Sequence, residues 1–378
     1  MVKRNDLKFA SALFCFQFNA GLLAVSSFLG GALLPARKSL SLARMYAVSL
    51  LFVKLVLLLA ISISRGMQPY NLLELATPDL ILIVLLVKNV TYSFVRSISL
   101  LLALSLFLSV PLVIYEALTG INLALNGSTL IRSQDLFSRF TGIYQSYYGL
   151  INVSVLGFCA SPFLWPRALR AISFILLLFN GAQRALTSLL FLISASLLIR
   201  RTYSFFAAII LAFLFSCLVF SLALNSDSPG NLLRASLWYS CLGKVSGSLI
   251  LGNSFESSSF IQNSAESMAD AGICESGALG DLAHFGLFIM LLSYLFYIFG
   301  LRQSLLALRC GIDSKVACSS ATLFCYSLSE YTWGTSFSHS VIASLFMGAF
   351  LSIVLSMYDV NRYVPLREHS TPGLPDGS

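Results

Sequence analysis

Residues 45–64 read MYAVSLLFVKLVLLLAISIS, a run with a single charge, Lys54. A bilayer core is about 30 Å thick and takes about 20 helical residues to cross. Runs of the same character recur at 9–36, 77–95, 97–119, 143–162, 169–183, 185–199, 203–223, 285–301, 317–329 and 337–357. They are continuous, not alternating at every second residue, which excludes an outer-membrane barrel. The chain is 57% hydrophobic and 11% charged, with a mean hydropathy of +0.84. A soluble domain carries about 25% charge. The sequence thus predicts an all-α polytopic membrane protein with about 11–12 transmembrane helices.

The charges between the runs give it an orientation. Basic residues cluster at Arg37, Lys38 and Arg44, at Lys88 and Arg96, and at Arg167 and Arg170. Further clusters are Arg200 and Arg201, then Arg302, Arg309 and Lys315, then Arg362 and Arg367 in the tail. They follow every second run, so the positive-inside rule makes these sides cytoplasmic. The same pattern accounts for the net charge of +8 without nucleic acid. The connections 120–142, 225–284, 330–336 and the turn at Arg184 are then external. Lys3, Arg4 and Lys8 conflict with a single span over 9–36, because both of its ends ask to be cytoplasmic. Either the run is a pair of short helices turning near Asn19-Ala20-Gly21, which the charges favour, or the N-terminus is external.

Residues 1–364 read as one transmembrane domain, with 225–284 as its large external loop. Residues 365–378, rich in proline and glycine, read as a short disordered tail. Lys54, alone in its run, is expected to face the bundle interior against a polar partner. Cys15, Cys159, Cys217, Cys318 and Cys325 read as small buried hydrophobes. Cys241 and Cys274 both lie in the long loop and can pair if that loop is extracytoplasmic.

The candidate chemistry lies in the external segments. Arg184 sits in Phe179-Asn180-Gly181-Ala182-Gln183-Arg184-Ala185 between apolar flanks. An arginine there costs about 3 kcal/mol or more unless it meets a partner or a wet cavity. Arg139 precedes a span in Phe137-Ser138-Arg139-Phe140-Thr141-Gly142. Arg234 opens an amphipathic stretch with Leu233, Trp238, Leu242 and Val245 in helical spacing. That helix is expected to lie along the membrane surface with Trp238 in the headgroup layer. Guanidinium groups bind phosphate oxygens bidentately and stay charged, so the three suit a pyrophosphate at the membrane surface. Glu275 stands just before the apolar segment resumes and is the carboxylate best placed to take a proton from a sugar hydroxyl. Interfacial charges and a helix-start acid are the plainer readings of these residues. Glu330, at the end of a span, is expected to face outward. His284, His339 and His369 are too dispersed for zinc. No Asp-x-Asp pair, phosphate-binding glycine loop or His-x-x-x-His pair is present, so neither a metal nor a cofactor is expected.

Taken in order, these segments resemble the O-antigen polymerase and ligase superfamily of bacterial envelope glycosyltransferases. Arg139-Phe140-Thr141-Gly142 resembles its Arg-Phe-x-Gly segment, and Gln183-Arg184-Ala185 its Ser-Arg-Gly/Ala turn. Arg234 with Trp238, then Leu251-Gly252-Asn253, resembles the Arg-x-x-x-Trp and Gly-x-Gly opening of the large periplasmic loop. Asn253-Ser254 stands where the family often has its second glycine, so that match is partial. Leu279, Leu282 and Gly286 fit the loop's closing frame and put Glu275-Ser276 where ligases tend to have His-Asn. The pattern looks more like a Wzy-type polymerase than a ligase.

The resemblance implies a GT-C-like fold in the bacterial inner membrane, with 225–284 as a periplasmic loop. It implies a glycosyltransferase that polymerises undecaprenyl-pyrophosphate-linked repeat units, with inversion and without metal. Both donor and acceptor would be such lipid-linked glycans. A chain-length regulator protein is left open as a further partner. Arg184, Arg234 and Glu275 would be catalytic. Arg139, Trp238, Gly252 and Ser276 would join the two arginines in binding substrate. The rival readings are an O-antigen ligase, with a different acceptor, and a non-enzymatic transporter or flippase.

Overall fold

In the computed structural model the chain is helical. The structure describes residues 27, 29, 31–37, 39–67, 69–122, 128–129, 140, 142–143, 147–164, 166–180, 229–245, 248–253, 274, 276–310, 314–334 and 340–363. The expected spans at 185–199 and 203–223, most of that at 9–36, and the tail 365–378 lie outside them.

The described helices are α1 (Leu42–Ser64), α2 (Pro69–Val87), α3 (Tyr92–Thr119), α4 (Tyr147–Ala160) and α5 (Pro166–Phe179). They continue with α6 (Pro229–Val245), α7 (Gly277–Phe285), α8 (Leu287–Arg309), α9 (Ser314–Trp333) and α10 (Val341–Tyr363). Three of them, α1, α3 and α8, are long and apolar enough to cross a membrane. After α3 a two-residue strand pair, Ile121–Asn122 with Ser128–Thr129, runs antiparallel.

One expected boundary moves. The sequence puts the break between its third and fourth runs near Arg96, but the chain turns at 88–91 and α3 begins at Tyr92. Thr91 caps that helix by accepting from the Phe94 N–H at 3.3 Å, so the polar residues before it form the turn. Arg96 lies inside α3, not in a connection.

Antiparallel packing sorts the described residues into two ends. At one end Arg37 donates to the carbonyl of Lys88, to Asn89 Oδ1 and to Ser356 Oγ. Arg44, expected in a solvated loop, is instead fully buried in the first turn of α1. It reaches the carbonyl of Leu86 at 2.9 Å, Ser352 Oγ at 3.0 Å, Ser356 Oγ at 2.7 Å and the Ser352 carbonyl. Four acceptors around its two terminal nitrogens are what permit this buried guanidinium. We call this the basic end. At the opposite, loop end, α1 finishes against the start of α8, where Leu58, Phe285 and Ile289 cluster.

The interior between the ends carries charge. Lys54, in the middle of α1, meets both carboxylate oxygens of Asp79 on α2 at 3.1 Å. This is the polar partner that the sequence required. Lys54 also feels the carboxylate of Asp281 on α7. Asp281, which falls within the expected external loop 225–284, is 3% exposed. It accepts from Tyr331 of α9 at 2.6 Å and from Ser293 of α8 at 3.4 Å.

Candidate functional site

The loop end is built where the long segment 225–284 meets the bundle. Its two described helices, α6 and α7, pack together through Cys241, Cys274 and Ala283, with Val245 and Leu279 beside them. Cys241 and Cys274 form a disulfide. The pairing that the sequence left conditional is thus present, and it ties α6 to the residue before Glu275. The buried face of α6 is Leu237, Trp238 and Cys241, while Leu242 is 48% exposed and Tyr239 78%. This corrects the expected helix face. Trp238 packs inside the protein at 8% exposure, not in a headgroup layer, because the disulfide turns its face toward α7.

Both edges of the segment are fastened through the backbone. The Asn253 N–H donates to the Ala283 carbonyl at 2.7 Å and the Leu287 N–H to the Leu249 carbonyl at 3.0 Å. Gly252 has φ +68°, and a Cβ there would lie 2.5 Å from the backbone carbon of His284. Only glycine meets both demands. Arg65, just beyond α1, spans the two edges. It donates to the carbonyls of Leu251 at 2.6 Å, Gly252 at 2.8 Å and Asn253 at 3.0 Å, and to that of His284. Burial lowers its pKa, yet a guanidinium stays charged at any working pH. Arg65 carries no recognisable motif. Its partners are main-chain carbonyls, which leave no trace in sequence, and only its place in the turn between α1 and α2 could have drawn attention to it.

Ser276 is the N-cap of α7. Its Oγ accepts from the Leu279 N–H at 3.2 Å and donates to the Thr332 carbonyl at 2.8 Å. The Gly277 N–H reaches the Gly334 carbonyl at 2.8 Å. In sequence Glu275 therefore immediately precedes a helix start that rests on the last turn of α9, though Glu275 itself is outside the described residues. Glu330, expected to face outward, is 5% exposed in that same turn of α9. His284 is buried in the last turn of α7.

Arg139 and Arg184 also lie outside the described residues, as does the side chain of Arg234, whose backbone belongs to α6. Their surroundings are partly described. The Phe140 N–H donates to Asn180 Oδ1 at 2.9 Å, and the Phe140 and Phe179 rings meet edge to face at 6.4 Å. The segment following Arg139 and the start of the Arg184 turn are thus in contact. Gly142, at φ +59°, packs on Ser109 and donates to Glu116 Oε2 at 3.4 Å. Tyr326 of α9 joins Asn152 of α4 at 3.1 Å, which sets α4 and its neighbours against the helix that carries the Ser276 contact. Among the described residues no group of three or more His, Cys, Asp or Glu could hold a metal ion.

No protein-family model matches the chain, and no curated protein matches it either.

Proposed function

We propose that this chain is a membrane glycosyltransferase with a GT-C-like bundle of about 11–12 spans. It polymerises undecaprenyl-pyrophosphate-linked oligosaccharide repeat units at the periplasmic face of the bacterial inner membrane. The observation that supports the reading is that the segments beside the candidate residues share the loop end. Phe140 follows Arg139, Asn180 precedes Arg184, α6 carries Arg234, and Ser276 follows Glu275. All four belong to one end of the bundle, although the sequence spreads them over more than a hundred residues. The disulfide supports the sidedness, since such bonds persist in oxidising compartments. It lies opposite the arginine-rich end that the positive-inside rule makes cytoplasmic.

In the proposed mechanism Arg184 and Arg234 hold the donor pyrophosphate, with Arg139 orienting it. Glu275 takes the proton of an acceptor sugar hydroxyl. The hydroxyl oxygen attacks C1 from the face opposite the leaving group, the C1–O bond to pyrophosphate breaks, and undecaprenyl pyrophosphate departs. Inversion follows from this geometry. Loss of one charge-stabilising contact to the leaving group is worth about 2.7–4 kcal/mol, or about 10²–10³ in rate.

The test is purified protein with a lipid-linked repeat unit. Multimers should form without an energy source, and R184A and R234A should each lose that product while remaining inserted with the disulfide intact. Normal chain length in both variants would sink the proposal. Polymer transferred to a separate acceptor would instead mark a ligase.

A further inference from the structure

Leu249, Ile250 and Leu251 follow one another in the turn after α6, at 49%, 58% and 56% exposure. Three consecutive displayed aliphatic residues are a liability in water unless something covers them. Here the backbone holds them in place. The Gly252 N–H closes the turn on the Ser248 carbonyl at 2.9 Å, and Leu249 and Leu251 are held through their carbonyls by Leu287 and Arg65.

The height of this turn is set by α8. A Cβ on Gly286 would lie 1.9 Å from the Ile250 carbonyl oxygen, so the turn rests directly on the junction of α7 and α8. Since α8 is long and apolar enough to cross a membrane, the three side chains stand level with the first turn of a spanning helix. Hydrocarbon gives way to headgroups at that level. Both neighbouring helices also display apolar side chains at this end: Phe288 on α8 is 55% exposed and Ile63 near the end of α1 is 63% exposed. Tyr239, outward on α6, suits the headgroup layer.

We infer that Leu249-Ile250-Leu251 is a membrane-docking edge, seated in the phospholipid leaflet at the loop end, with Tyr239 in the headgroups above it. Contact with the first residues of a helix long and apolar enough to cross a membrane selects lipid as the occupant. The edge holds α6, and with it Arg234, at a fixed height over the bilayer. The inference needs only a membrane and does not depend on the proposed reaction.

The experiment places a nitroxide at position 250 of the full-length protein through a genetically encoded ketone residue, leaving the native cysteines untouched. The protein is reconstituted in nanodiscs of phosphatidylethanolamine and phosphatidylglycerol. Collision with oxygen and with a water-soluble nickel chelate is then read by electron paramagnetic resonance. A label at Leu295, exposed on α8, serves as the lipid reference. The expected result is an oxygen-to-nickel ratio at 250 severalfold above that of free label in buffer and approaching that at 295. A ratio equal to free label overturns the inference, as does shielding from both colliders, which would mean a protein partner or a second copy. If labelling at 250 blocks insertion, position 239 is read instead, with a ratio between the two references expected and a buffer-like ratio overturning the inference.

Discussion

The Tyr331 hydroxyl donates to Asp281 Oδ2 at 2.6 Å, joining α9 to α7 across 50 residues of chain. Ser293 is a second donor at 3.4 Å. Together they let a carboxylate sit at 3% exposure while Lys54 supplies opposite charge. Tyr331→Phe removes the shorter bond and leaves a buried oxygen underserved, a cost of about 1–3 kcal/mol. Tyr294→Phe loses only a bond to neutral Thr332, at 3.2 Å, and should cost less. Thermal unfolding of both variants in detergent checks the order.

The Lys54–Asp79 pair makes a sharper prediction. Lys54→Met strands a buried carboxylate, which costs about 3–5 kcal/mol. The double variant K54M/D79L removes both charges and should recover most of that loss. A double variant no more stable than K54M alone would show that the pair acts through something other than charge balance.

Cys241→Ser and Cys274→Ser should behave alike, since each breaks the same bond. The cross-link closes a loop with a sequence separation of 33, for which chain entropy gives about 3–4 kcal/mol. Intact mass with and without reductant reports the bond. Stability of the single and double serine variants should coincide.

Gly286 and Gly243 make a matched pair. Gly286 has φ +88° and no room for a Cβ, whereas a Cβ on Gly243 of α6 meets nothing within 4 Å. Gly286→Ala should reduce the amount of folded protein sharply. Gly243→Ala should be neutral or stabilising by up to about 1 kcal/mol. Fluorescence-detected size exclusion of both variants reads the contrast.

Spans were legible where apolarity alone decides. Residues 45–64 announce α1, and a lysine within it announces a buried partner, which proves to be Asp79. The turn at 88–91 was harder to place, because Lys88, Asn89 and Thr91 offer one break and Arg96 another, and only the Thr91 cap chooses between them. Asp281 fell within the expected external loop 225–284, since a short helix folded back into the bundle looks much the same in sequence as an exposed connection. The buried face of α6 was set by a disulfide partner more than thirty residues away, which helical spacing alone could not reveal. Of the candidate site, the sequence selected Gly252 and Ser276 for binding. The described geometry engages both in the frame: Gly252 packs on His284, and Ser276 caps α7 and holds Thr332. Arg65 escaped notice because main-chain carbonyls are the same in every sequence.

Arg44 imposes an order on assembly. Its acceptors Ser352 and Ser356 lie at and just past the middle of the last described helix, more than 300 residues downstream, and Arg37 shares Ser356. While the ribosome is still making α10, the first described spanning helix carries a cation whose final acceptors do not yet exist. The basic end therefore closes last, after nearly the whole chain has been delivered, and a truncation before residue 352 would leave α1 permanently waiting.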